Sequence, residues 1–146
     1  QLSEILSLDC TKSAVHCASK KRALEMISRI VADQTGQDST ELFECMLNRE
    51  KMGSTGIGNG TLSQVGEAVF PQGIAVLLQC DEAIEFDAFD NRPVDLLFAL
   101  LVPEEQCKEH LKTLSSMAER LSDKQVLKLL RNAQSDEELY DIMIHQ

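Results

Sequence analysis

Nothing in this chain approaches the ~20 consecutive apolar residues that a membrane-spanning helix needs. Low-complexity tracts, internal repeats and linker-like stretches are also missing. Basic charge is scarce. Lys and Arg number 14 against 24 Asp and Glu, a formal net charge of −10. Nucleic acid and anionic lipid both select basic surfaces, so no nucleic-acid partner and no membrane insertion are expected. A basic protein surface would instead be steered toward this one. No secretory leader is read ahead of Gln1, and the expected compartment is the cytoplasm.

The cysteines lack any recognisable spacing. Cys10, Cys17, Cys45, Cys80 and Cys107 are odd in number and match no zinc or redox motif. His16-Cys17 has no second pair at ligand spacing, so no metal and no cofactor are expected. Cys45 lies on an apolar helical face, and Cys80 ends an apolar run. Both read as small buried hydrophobes in a reducing environment.

What is present is one domain's worth of apolar material. The 146 residues are 43% hydrophobic, which is ample for a core. The most informative stretch runs from Arg49 to Gly60. Its glycines leave backbone that turns sharply and brings N–H groups close to a ligand. Ser54, Thr55 and Asn59 add short polar side chains, and Arg49 adds a fixed charge. This composition suits a small anion, phosphate first. A tight surface turn between a helix and a strand is the plainer alternative. A nucleotide-binding loop is not expected, because Gly-Lys-Ser/Thr is missing and the loop follows a helix.

Periodicity and punctuation place this loop in an α/β chain. Leu2 to Leu8 is a short apolar opening, and Ser13 to Cys17 suits a short strand. Ser19 can cap a helix with Leu24, Ile27, Ile30 and Val31 on one face and Lys20, Lys21, Arg22 and Arg29 on the other. Gly36 would end it. Asp38 with Glu41 opens a second helix with Leu42, Phe43, Met46 and Leu47 inward. Ile74 to Leu78 and Val94 to Val102 read as central strands covered on both faces. Ile84-Glu85-Phe86 alternates like an edge strand, and Asp90 to Pro93 is turn chemistry. Pro103 suits the first position of a helix whose core stripe is Leu111, Leu114, Ala118 and Leu121. Ser122 with Gln125, and Ser135 with Glu138, would open two short C-terminal helices. Asp81, Glu82, Glu85, Asp87 and Asp90 read as a solvated acidic face, open to a basic partner.

Several of these stretches resemble the nitrogen-related enzyme IIA of the bacterial phosphotransferase system. They are Ser19 to Leu24, Arg49 to Gly60, Phe86 to Ala88, Pro93 to Pro103, His110-Leu111 with Thr113 to Ser115, and Ala133 to Tyr140. The likeness runs from about Leu2 to Ile144. It implies a single domain over 1–146, an α/β fold with a mixed β-sheet flanked by helices on both faces, akin to the mannitol and fructose IIA domains. It also implies a regulatory phosphocarrier. Such a domain accepts a phosphoryl group from a small histidine-phosphorylated carrier protein and regulates partners such as potassium-transport or sensor-kinase proteins. Carried over residue by residue, His110 matches a second active-site histidine that helps hold phosphoryl oxygens. Arg49 matches an arginine beside the phosphorylation site, and Ser54, Thr55 and Asn59 fall in the phosphate-binding loop.

One departure bears on function. After the equivalent of Gly60 the family continues Ile-Ala-Ile-Pro-His-Gly, whose histidine accepts the phosphoryl group. This chain reads Thr61-Leu62-Ser63-Gln64-Val65-Gly66-Glu67-Ala68-Val69-Phe70-Pro71-Gln72-Gly73, with no histidine between His16 and His110. Pro71-Gln72-Gly73 resembles the acceptor motif with glutamine in the histidine's place. An uncharged amide does not accept a phosphoryl group as an imidazole nitrogen does. The alternative function is therefore a non-phosphorylated, protein-binding regulatory module. Thr61 to Gly73 is expected to be the least ordered or least regular segment, lying over a pocket on which Arg49 and His110 converge.

The cysteine pattern predicts that all five thiols are reduced. Thiol titration of the denatured, unreduced protein should give five free groups, and a lower count would reveal a disulfide or a bound metal.

Overall fold

The computed structural model describes residues 2–51, 56–58, 61–67, 73–85, 93–102 and 107–145. For 51, 56–58, 61–67, 102, 107–111 and 114 it describes the backbone alone. Two apolar strands form the centre. β4 (Ile74–Ile84) and β5 (Val94–Val102) pair antiparallel, in register from Ile74 opposite Leu101 to Gln79 opposite Leu96. Ala75 to Leu78 and Leu96 to Leu101 are all buried. An alternating strand would leave one face wet, whereas these runs are covered on both sides.

The remaining strands add to the two flanks. β1 (Leu6–Val15) lies parallel to β4. β3 (Thr61–Glu67) lies parallel to β5, and β2 (Gly56–Gly58) pairs antiparallel with β3. The order is β1-β4-β5-β3-β2, a mixed sheet with helices on both faces, as expected. α1 (Lys20–Thr35) packs on α2 (Ser39–Lys51) and reaches β4, while α2 reaches β3. α3 (Cys107–Ser122), α4 (Lys124–Asn132) and α5 (Asp136–His145) follow one another in contact. α3 touches β3 and β5, and α5 covers β1.

The α1 boundaries follow their local chemistry. Ser19 Oγ accepts the Arg22 N–H at 3.3 Å. Gly36 adopts φ 76°, a left-handed conformation that glycine takes without steric cost, and its N–H donates to the Ala32 carbonyl at 2.8 Å. Leu24, Ile27 and Val31 are buried, while Ile30 is half-buried against the core. On α2, Asp38 Oδ1 accepts the Thr40 N–H at 3.4 Å, and Leu42 and Met46 are buried.

Several expectations need correction. Leu6 to Leu8 of the opening segment and Ser13 to Val15 belong to one strand, β1, with register shifts against β4, whereas Leu2–Glu4 is a short 3-10 helix and His16-Cys17 lie beyond the strand. Of the expected Ile84-Glu85-Phe86 edge strand, Ile84 is instead the last residue of β4, Glu85 follows that strand and Phe86 lies outside the described residues, while Cys80 lies inside β4 rather than at its end. Sequence spacing cannot distinguish one long strand from two short ones, because the pairing partner decides. Thr61 to Glu67 is not irregular: each of its residues pairs with β5 in an unbroken parallel register. Pairing to a central strand supplies its hydrogen bonds whatever the side-chain period. Residues 68–72 lie outside the described residues.

Among the described side chains of α3, Met117 and Leu121 are buried and Ala118 is exposed, while those of Leu111 and Leu114 lie outside the described ones. Both i+3 and i+4 spacings reach the core stripe, and burying the larger Met side chain removes more apolar area from water. α4 starts one residue later than Ser122 implies. Asp123 is its cap, accepting the Gln125 N–H at 2.9 Å, while the Ser122 hydroxyl donates to the Glu119 carbonyl at 2.7 Å. The Ser135 cap holds as expected, accepting the Glu138 N–H at 3.1 Å.

Two buried or half-buried polar groups tie the layers together. Gln79 sits inside β4 and is 7% exposed. Its Oε1 accepts the Ala14 N–H at 2.9 Å, and its Nε2 donates to the carbonyls of Leu130 at 2.7 Å and Ala133 at 3.1 Å. Ala14 has φ 49°, a left-handed conformation costing a non-glycine residue about 1–2 kcal/mol. One residue earlier, the Ser13 N–H and hydroxyl both donate to Asp136 Oδ1, at 2.7 and 2.8 Å. The Ser13 N–H is the main reason the Asp136 carboxyl is held below its ordinary 3.8.

The thiols behave as core groups. Burial pushes Cys80 up to about 12, with the Cys17 thiol beside it adding to the shift. Burial also raises Cys10 and Cys17. Cys10, Cys17, Cys45 and Cys80 form no disulfide, and Cys45 is half-buried rather than buried as its helical face implies.

Gln79→Ala should cost about 2–4 kcal/mol, since the part-buried Ala14 N–H and two buried carbonyls at the end of α4 lose their partner. A lower urea midpoint with an unchanged slope would register it. Asp136→Asn should cost about 1–2 kcal/mol at neutral pH. A depressed carboxyl contributes stability above its unfolded value and loses it as pH falls through the folded one. The difference between Asp136→Asn and the parent should therefore shrink below the ordinary 3.8, which acid unfolding monitored by circular dichroism would detect.

Candidate functional site

The last turn of α2 carries the site's charge. Leu42, Met46 and Glu50 are spaced four apart, and all three are buried. That row carries a carboxylate into the interior, where an unpaired charge would be prohibitively costly. Lys20, the first residue of α1, answers it: its Nζ lies 3.0 Å from Glu50 Oε1, with side-chain exposures of 29% and 2%. Lys20 is thus not a plain member of α1's solvated face, as its spacing implies. The ion pair joins the start of α1 to the end of α2, immediately ahead of the glycine-rich loop.

Arg49 is half-buried beside Glu50. Beyond it, Gly56 pairs with Leu62 and Gly58 with Thr61, so part of the loop is a strand rather than a simple turn. Ser54, Thr55 and Asn59 lie outside the described residues. His110 lies in the first turn of α3, where the backbone alone is described. The Arg49–His110 convergence therefore lies outside the described side chains. The elements that carry the pair do meet a common neighbour, because α2 and α3 both contact β3.

Other expected residues fall as follows. Asp81, Glu82 and Glu85 are exposed, while Asp87 and Asp90 lie outside the described residues. His16 is exposed, with Nδ1 at 3.2 Å from Asp81 Oδ2. His145 is exposed on the last turn of α5. Asp95, the polar interruption in β5, takes a forked contact from Arg131 of α4, Nε at 2.9 Å and Nη2 at 2.9 Å. Among the described residues no three His, Cys, Asp or Glu side chains are grouped to hold a metal ion. No helix among them is long and apolar enough to cross a membrane.

Sequence reasoning passed over Glu50 and Gln79. The i, i+4, i+8 row from Leu42 contained the signal for Glu50. Gln79 left a fainter one, as a lone amide at the end of an apolar strand.

Chemically, the elements that meet at β3 are the helix carrying the Arg49 guanidinium, the helix carrying His110 and the glycine strand β2. Such an arrangement suits an anion held by a fork of N–H donors. Comparison with known proteins points to one family. The model for "Phosphoenolpyruvate-dependent sugar phosphotransferase system, EIIA 2" matches residues 4–146. The nitrogen regulatory protein of Klebsiella oxytoca is 57% identical over 145 residues, covering 98% of this chain and 90% of that protein. Among solved structures, the nitrogen regulatory protein IIA-Ntr of Neisseria meningitidis is 35% identical, with a TM-score of 0.91 over 96% of this chain and 97% of that one. IIA mannitol of Escherichia coli shares the fold at 18% identity, with a TM-score of 0.78 over 94% of this chain and 97% of that one. The chain belongs to the EIIA 2 family of the phosphoenolpyruvate-dependent sugar phosphotransferase system.

Proposed function

We propose that this chain is a nitrogen-regulatory IIA-type module of 1–146 that acts by docking partner proteins around β3. The carrying observation is that the Arg49 helix and the His110 helix both contact that strand, next to the glycine-rich turn. Arg49 and His110 form the anion-holding centre, with Ser54, Thr55 and Asn59 supplying short donors. Its partners are a small histidine-phosphorylated carrier protein and regulated targets of the potassium-transport or sensor-kinase kind. The net charge of −10 and the exposed Asp81, Glu82 and Glu85 favour a basic docking face on the partner. The protein acts in the cytoplasm.

The second reading is the phosphocarrier, favoured by the relatives' names and by the matching Arg49 and His110. Phosphoryl transfer between imidazoles breaks one N–P bond and forms another in line. The protein's share is positioning and charge neutralisation, which Arg49 and the loop donors suit. Against transfer at the usual position stands Gln72, whose amide nitrogen is a poor nucleophile.

Incubation with phosphoenolpyruvate, the general phosphotransferase enzyme and the small carrier separates the two. The docking reading expects no stoichiometric acid-labile phosphate anywhere on the chain by mass spectrometry. It also expects saturable carrier binding that Arg49→Ala weakens by about tenfold. Stoichiometric phosphohistidine would overturn it in favour of the phosphocarrier.

A further inference from the structure

A cavity of about 800 Å³ lies between α3, the end of α5 and the start of the chain, and Arg49 is not among its lining residues. Its charge runs against that of the whole protein. The chain carries 24 acids and 14 bases, yet the described lining holds Lys112, Arg120 and His145 and no carboxylate side chain. Random sampling of this surface would favour acids.

The arrangement follows from helix geometry. Lys112, Ser116 and Arg120 are four residues apart and form one row along α3. Over that span the axis rises about 12 Å, so the two cations sit two turns apart rather than clustered. Arg120 is half-buried, and its Nη1 donates to the Met143 carbonyl at the end of α5. That bond anchors one corner of the guanidinium, and its remaining N–H groups have no partner among the described residues. Lys112 is exposed and likewise unpaired among them. Between the two ends the wall is partly apolar, with Met117 beside the row and Leu2 and Ile144 across from it.

We propose that this cavity binds a linear dicarboxylate with an apolar middle. One carboxylate meets Arg120 through the planar fork that suits it, and the other meets Lys112, with His145 and the Ser116 hydroxyl as further donors. Two single cations set apart match two singly charged ends. A lone phosphate dianion would favour cations gathered at one point. The volume falls within the range usual for small-molecule sites. Lys112 follows His110 by two residues, about 200° around the helix, so this site and the Arg49 centre use different faces of α3.

The test uses the full chain and suberate, with octanoate and 1,8-octanediol as the singly charged and neutral analogues. Amide shifts of residues 112–120 and 143–145 should titrate saturably with suberate at low salt. Binding should be about tenfold tighter than for octanoate and weaker still for the diol. Lys112→Gln should weaken suberate about fivefold or more, with Lys112→Arg retaining it and an unchanged melting temperature reporting an intact fold. Arg120→Gln should weaken it further, although it also removes the Met143 contact. The proposal is overturned if suberate gives no saturable shift there, if the diol binds as well as suberate, or if Lys112→Gln binds unchanged.

Discussion

The buried amide of Gln79 is the point through which the layers of this domain are fixed to one another. One side chain accepts from β1 and donates twice to the end of α4. The two carbonyls would otherwise be orphaned backbone groups in the interior, where polar groups must be paired, and the Ala14 N–H lies at the part-buried edge of the same contact. The left-handed Ala14 is the local cost of the arrangement, since its N–H leaves the strand ladder to reach the amide. Asp136 repeats the device one residue away, tying Ser13 to the first turn of α5. The edge strand β1 is thereby held at its C-terminal end by two side chains from two other elements. Its Ser7 carbonyl is occupied as well, by the Thr11 hydroxyl at 2.9 Å. Such contacts use up backbone groups that an open sheet edge would offer to another chain.

With β1 and β4 locked, β5 presents its other edge to β3. β3 takes its register from β5 residue by residue and hands it to the glycine strand β2. α2 enters the same neighbourhood with its last turn secured by the Lys20–Glu50 pair. Arg49 is therefore half-buried in a last turn that is fixed by a buried ion pair at the neighbouring Glu50.

Much of this was legible before any coordinates. Continuous apolar runs from Ile74 and Val94 announced strands covered on both faces. Ser19, Gly36 and Ser135 marked helix ends through capping chemistry that operates within one turn of chain. The motifs around Arg49 and Pro93 identified the family. The candidate site was legible as residue types, while its described geometry extends to Arg49, Glu50 and the strand pairing of the loop.

Features decided by distant partners were not legible. Ile74 to Ile84 became one strand because β5 and β1 pair along it, and Thr61 to Glu67 became a strand because β5 offered an unbroken register. Met117 displaced Ala118 from the α3 stripe, although both spacings were allowed. Gln79 and Glu50, polar residues that composition alone would leave in water, were buried because Ala14, Leu130, Ala133 and Lys20 came to meet them from elsewhere in the chain. The sequence by itself determined the local signals, the core strands and the family, since those depend on neighbours within a few residues. Only the tertiary structure decided strand length, register and the burial of charge, because each rests on a partner that lies far away along the chain.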